Sequence, residues 1–129
     1  MSNKKTTILI VEDDAAMREA LADKFEHEGF SVLKAGDGEE GLKTGLEKHP
    51  NLVMLDIMMP KMDGMETMKK IREDKRWGSE VPIIFLTNVN EPEKISEAAL
   101  FKVFDFLVKT DWHLDDVVNL VKQKLALNF

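Results

Sequence analysis

The run Leu52-Val53-Met54-Leu55 constrains this chain more than any other segment, because four apolar residues follow one another and are then closed by Asp56. A half-exposed strand would alternate with polar residues. An unbroken apolar run predicts a strand buried on both faces, as in a parallel sheet covered by helices. The pattern recurs along the chain. Ile8-Leu9-Ile10-Val11 runs into Glu12-Asp13, Ile83-Ile84-Phe85-Leu86 into Thr87, and Phe106-Leu107-Val108 into Lys109. Each buried strand therefore ends on a side chain that carries chemistry.

Helical patterns separate these strands. After the first strand, Thr7 to Val11, a helix is expected from Ala15 to Glu28, with Met17, Leu21 and Phe25 on one face and Gly29 as its stop. Ser31 to Lys34 reads as a weaker strand. Asp37-Gly38 reads as a turn, followed by a short helix from Glu39 to Lys48 with Leu42 and Leu46 facing inward. Its Gly41 and Gly45 each lower helix propensity by about 1 kcal/mol relative to alanine. Leu52 to Ile57 is the third strand. Pro60 and Asp63-Gly64 shape a loop, and Met65, Met68 and Ile71 mark a third helix. Lys75 to Pro82 is a polar connection around Trp77. A fourth helix is expected from Glu91 to Lys102 and a fifth strand from Phe104 to Val108. Leu114, Val117, Val118, Val121 and Leu125 give the last helix an apolar stripe.

Strand–helix units in succession, without repeats or linkers, imply one α/β domain with a parallel sheet and helices on both faces. Right-handed crossovers leave few topologies. Ligands of such sheets sit beyond the carboxyl ends of the strands. Glu12, Asp13, Asp56, Thr87 and Lys109 all fall at that edge. Three carboxylates converging there would repel one another, so the site calls for a hard cation such as Mg²⁺. A carboxylate beside that cation could attack phosphorus and form an acyl phosphate.

Composition narrows the function classes. The 129 residues carry a formal charge of −6, which argues against direct binding to nucleic acid. There is no cysteine, hence no disulfide, thiol nucleophile or zinc–thiolate site. The segment Met1 to Thr7 lacks an apolar stretch of signal-peptide length, and no run approaches the ~20 apolar residues of a membrane span. A cytoplasmic protein without a membrane or nucleic-acid partner is expected. His27, His49 and His113 follow no strand end and read as surface residues.

The segments Ile8 to Asp14, Val53 to Gly64 (Val-Met-Leu-Asp-Ile-Met-Met-Pro-Lys-Met-Asp-Gly), Ile83 to Thr87 and Phe106 to Lys109 together resemble the receiver domain of two-component response regulators. The resemblance covers about residues 7–127 and is to a chemotaxis-regulator-like, stand-alone receiver. It implies a flavodoxin-like (βα)5 sandwich with strand order 2-1-3-4-5, and a signalling phosphoacceptor rather than an enzyme acting on other molecules. It makes Asp56 the phosphoacceptor. Glu12 and Asp13 become the pair that holds Mg²⁺, or Mn²⁺ in its place, with Asp56 and the Met58 backbone carbonyl completing the ligands. Thr87 and the Asn88 backbone N–H would bind the phosphoryl group, Lys109 would pair with its oxygens, and Phe106 would serve as the switch aromatic. Asp14 is expected to cap the first helix instead of binding metal. The implied partners are a sensor histidine kinase or histidine phosphotransfer protein, a downstream protein target, and a second copy in a phosphorylation-linked homodimer.

This chain departs from the family pattern at four places. Thr110 stands where proline, joined by a cis bond, is usual. A non-proline cis bond costs roughly 3 kcal/mol, so a trans Lys109–Thr110 bond is expected. Asn88 replaces a small residue, Lys102-Val103 replaces a Gly-Ala turn, and Glu12 replaces an aspartate. Six of the eight methionines lie between Met54 and Met68 and read as packing residues. Met58 should flank the phosphoryl group and slow attacking water.

Other readings of the same fold fit less well. A flavodoxin-like nucleotide binder needs backbone N–H groups that cradle phosphate after the first strand, where Glu12-Asp13-Asp14 would repel it. A haloacid-dehalogenase-type hydrolase needs an aspartate where Met58 stands. A pseudo-receiver, binding partners without phosphorylation, is the alternative kept open by Thr110 and Asn88. No output module follows the fifth helix, so a stand-alone receiver or a piece of a longer regulator is expected.

Overall fold

A computed structural model describes residues 6–87, 92–109 and 113–126. Five strands, β1 (Thr7–Val11), β2 (Ser31–Ala35), β3 (Leu52–Asp56), β4 (Ile83–Thr87) and β5 (Asp105–Val108), alternate with five helices. The helices are α1 (Ala15–His27), α2 (Gly38–Lys48), α3 (Gly64–Arg72), α4 (Pro92–Ala99) and α5 (Leu114–Ala126). All strand pairs are parallel and the order is β2-β1-β3-β4-β5, as the resemblance implied.

Successive strand residues face opposite sides of the sheet, and the core divides accordingly. Leu9, Val11, Val53, Leu55, Ile83 and Phe85 meet Met65, Met68 and Ile71 of α3 and Ala98 of α4. Ile8, Ile10, Leu52, Met54, Ile84 and Leu86 meet Leu21 and Phe25 of α1 and Val117, Val118 and Val121 of α5. β3 and β4 are buried at every position, which is why their sequences do not alternate.

Aspartates start three helices. Asp14, Asp37 and Asp63 each accept a hydrogen bond from the backbone N–H three residues on, satisfying donors that the first turn leaves free. The turn expected at Asp37-Gly38 is thus the start of α2. The glycines of that helix face close neighbours: a Cβ on Gly41 would lie 2.7 Å from Val11 Cγ2, and one on Gly45 would lie 2.5 Å from the Trp77 ring.

Three expectations need correction. Leu46 does not face inward but is 40% exposed, because Gly45, not Leu46, meets the Trp77 ring at that end of α2. Regular α4 ends at Ala99, short of Lys102. The chain there closes with Lys102 N–H donating to the Ala99 carbonyl and Val103 N–H to the Ala98 carbonyl, with Lys102 left-handed at φ 64°. That is the helix ending usually supplied by glycine. Phe104 precedes β5 and is 68% exposed, so the strand begins one residue later than expected. Asn88, the Lys109–Thr110 bond and Glu91 lie outside the described residues. Among the described residues, no helix is long and apolar enough to cross a membrane.

Candidate functional site

Alternation along the strands explains which polar groups meet. Glu12 continues the parity of Ile8 and Ile10, Asp56 that of Leu52 and Met54, and Lys109 that of Leu107, all on the α1–α5 side. Lys109 Nζ lies 2.6 Å from Glu12 Oε1 and 3.1 Å from Asp56 Oδ2. Glu12 and Asp56 are buried, and exposed Asp13 completes a group of carboxylates whose oxygens lie within 4.8 Å of one another.

Backbone contacts fix each member. Glu12 N–H donates to the Ala35 carbonyl at 3.0 Å, extending the β1–β2 ladder past Val11. Its carbonyl accepts from Arg18 Nη1 at 2.8 Å, and its Oε2 accepts from Asp14 N–H at 3.0 Å. Asp14 also caps α1, as expected. Asp56 Oδ1 accepts from Met58 N–H at 3.2 Å. Gly64 N–H donates to the Ile57 carbonyl at 2.8 Å, closing the β3–α3 loop. A Cβ on Gly64 would overlap the Asp56 carbonyl oxygen, so only glycine permits this approach. Lys109 N–H donates to the Thr87 carbonyl at 2.6 Å.

Thr87 is buried at the end of β4. Phe106 lies on the opposite side of the sheet from the carboxylates, with its ring centroid 5.3 Å from that of Phe85. Met58 is 55% exposed at the start of the loop. Sequence reasoning missed Arg18 and Gly64. The Asp63-Gly64 pair signalled the loop but not the contact with Asp56. Arg18 gave no signal, since its partner is a backbone carbonyl.

The electrostatics are unbalanced. Burial, followed by the adjacent Glu12 carboxylate, pushes the Asp56 carboxyl up to about 7, and Lys109 only partly opposes this. Burial acts to lower the Lys109 ammonium, but Glu12 and Asp56 outweigh it and hold it above the ordinary lysine value. Glu12 Oε1 is fully buried and, despite its close ion contact with Lys109, receives no hydrogen bond of acceptable geometry. Three hard oxygen donors with one orphaned buried oxygen fit a divalent cation of the Mg²⁺ type.

A doubly wound parallel sheet with an acidic, lysine-bearing pocket at its carboxyl edge defines a class of α/β domain. Within that class, the response regulator receiver domain model matches residues 8–122, and the chain belongs to that family. It is 37% identical to "Probable transcriptional regulator ycf27" of Porphyridium aerugineum over 82% of this chain and 42% of that protein. It is 33% identical to the regulatory protein AtoC of Escherichia coli (strain K12) over 93% of this chain and 25% of that protein. The chain therefore spans less than half the length of these curated relatives. A CheY-like response regulator receiver domain protein from Methanospirillum hungatei JF-1 superposes with a TM-score of 0.87 at 26% identity, covering 95% of each chain.

Proposed function

We infer that the chain is a phosphoacceptor receiver domain of a two-component phosphorelay and that Asp56 is the residue phosphorylated. The observation that carries this reading is the buried Asp56 carboxylate held 3.1 Å from Lys109 Nζ and beside two further carboxylates. Such a pocket suits a dianionic phosphoryl group only when positive charge enters with it. Glu12, Asp13, Asp56 and the Met58 carbonyl would hold Mg²⁺ or Mn²⁺, which supplies charge neutralisation at the phosphoryl oxygens.

Asp56 attacks the phosphorus of a phosphohistidine on a sensor kinase or phosphotransfer protein. One P–O bond forms as the P–N bond breaks, and its electron pair returns to the imidazole of the partner. Lys109 Nζ swings from Glu12 toward the transferred oxygens and offsets their charge. The Thr87 hydroxyl and Asn88 N–H donate to the same oxygens. Water later attacks phosphorus, the acyl P–O bond breaks, and inorganic phosphate leaves a free Asp56 carboxylate. Exposed Met58 flanks this path and slows the water. Movement of Thr87 releases Phe106 to shift, changing the face of α4, β5 and α5 that meets a downstream protein or a second copy. The setting is the cytoplasm.

The test is intact mass after incubation with a small phosphodonor and Mg²⁺. A single phosphate adduct is expected, dependent on the cation and absent from Asp56→Asn. A folded protein that takes no adduct, even from phosphohistidine donors, would replace this reading with the pseudo-receiver. Met58→Asn and Met58→Glu should then alter the decay rate of the adduct, and equal decay in all three proteins would remove the role given to Met58.

A further inference from the structure

The loop that follows Asp56 leans on a different helix. Its far end, Met62, meets Gly38, the first residue of α2. A Cβ added to Gly38 would overlap both the Met62 carbonyl oxygen and Thr67 Oγ1. A side chain could swing aside, but a backbone carbonyl cannot without moving the loop. A second link crosses the same gap. Lys61, left-handed at φ 68°, lies 3.7 Å from Asp37 Oδ2, and Asp37 is the cap of α2. A non-glycine residue in that conformation persists only where its surroundings impose it.

We propose that Gly38 is a positioning residue for the cation pocket: its bare Cα lets α2 brace the 57–63 loop from outside and so fixes the backbone that follows Asp56. The inference rests on the phosphoacceptor reading, because it matters only if that pocket takes a divalent cation.

The direction of the effect follows from what else is anchored. α2 is held along its length, with Gly41 against Val11, Gly45 against Trp77 and Leu42 packed on the core. Thr67 sits on α3, whose Met65, Met68 and Ile71 are buried. The loop has the weakest anchorage of the three, with Met58, Pro60, Lys61 and Asp63 exposed. A methyl group at Gly38 therefore displaces the loop rather than either helix. Asp56 and Met58 lie at its start and would lose their fixed relation to Glu12 and Asp13. Mg²⁺ demands near-ideal geometry and tolerates such displacement poorly.

The experiment is calorimetric titration of Mg²⁺ into the wild-type chain, Gly38→Ala, Thr67→Ala, the double variant Gly38→Ala/Thr67→Ala, and Gly45→Ala. Far-UV circular dichroism confirms that each is folded. Gly45→Ala is the control for helix damage, because its added methyl meets Trp77 at the other end of α2. The double variant relieves the Thr67 overlap and keeps the Met62 one. Because it also removes the hydrogen bond from Thr67 Oγ1 to the Asp63 carbonyl, it is compared with Thr67→Ala alone, and the difference reports on the loop even where Gly38→Ala folds poorly. The expected result is wild-type affinity in Gly45→Ala and at least fivefold weaker binding in both Gly38 variants. Folded Gly38 variants that bind Mg²⁺ as the wild type does would overturn the inference alone. A wild-type chain that binds neither Mg²⁺ nor Mn²⁺ would remove the function proposed above, and this inference with it.

Discussion

The two edges of the sheet both draw charge out of solvent, partly at Arg72 and Asp74 and almost completely at Glu12 and Asp56, and they treat it in opposite ways. Below the amino ends of β3 and β4, Arg72, Asp74 and Trp77 all find partners. Arg72 donates to the carbonyls of Phe101, Gly78 and Val81, each at 2.7 Å. Asp74 accepts from Trp77 N–H and Gly78 N–H, each at 2.8 Å, and the Trp77 indole N–H reaches the Pro50 carbonyl at 2.6 Å. At the carboxyl edge, Glu12, Asp13 and Asp56 crowd together, and Lys109 alone among the described cations lies within ion-pair distance of them. Satisfied charge holds a fold together. Unsatisfied charge holds a place for something that arrives later.

The largest expected effect breaks the satisfied edge. Arg72→Met keeps much of the side-chain volume but leaves three carbonyls without their donor. Loss of about 3 kcal/mol of stability is expected, read from urea unfolding. A loss below ~1 kcal/mol would mean that water replaces the guanidinium easily.

The next effect has the opposite sign. Asp56 has a raised folded-state pKa of about 7, against an unfolded value of about 3.9. Its contribution to stability is fully present below pH ~4, where both states carry the proton, and is lost as pH rises through about 7. Asn cannot ionise, so Asp56→Asn should match the parent near pH 4 and exceed it above pH 7 when divalent cations are chelated. The full shift would amount to ~4 kcal/mol. Exposed Asp13 opens the site to solvent, and screening reduces the expected gain to about 2 kcal/mol. A pH-independent difference between the two proteins would contradict the crowded-carboxylate account.

Two smaller changes sharpen the contrast. Trp77→Phe removes the indole donor to Pro50 and should cost about 1 kcal/mol without affecting phosphorylation at the other edge. Lys102→Gly should stabilise by about 0.5 kcal/mol. The left-handed conformation costs lysine more than the extra freedom of an unfolded glycine gives back. Gly29, at φ 98° after α1, already occupies the same kind of helix ending.

The functional edge was more legible in the sequence than the structural one. Strand ends are marked where an apolar run stops, so Glu12, Asp13, Asp56, Thr87 and Lys109 could be placed on one edge before any geometry was known. The alternation that sets Glu12, Asp56 and Lys109 on one side of the sheet follows from counting residues. Arg72 was invisible, because its three partners are backbone carbonyls and any residue can supply one. Gly41 and Gly45 read as helix weakeners and Gly38 as a turn, since propensity and turn signals concern the local chain alone, whereas the three permit close approach of Val11, Trp77 and the Met62 carbonyl. Leu46 misled for the same reason. Periodicity locates an apolar face, but the neighbouring element decides which residue of that face is covered.

The most direct test of the contrast between edges is a titration of Mg²⁺ followed by amide chemical shifts of the ¹⁵N-labelled chain. The account predicts saturable shifts at Glu12, Asp13, Asp56, Ile57, Met58 and Lys109. It predicts none at Arg72, Asp74, Trp77 and Gly78. Saturable shifts at the Arg72 edge, or none at the carboxylates, would contradict it.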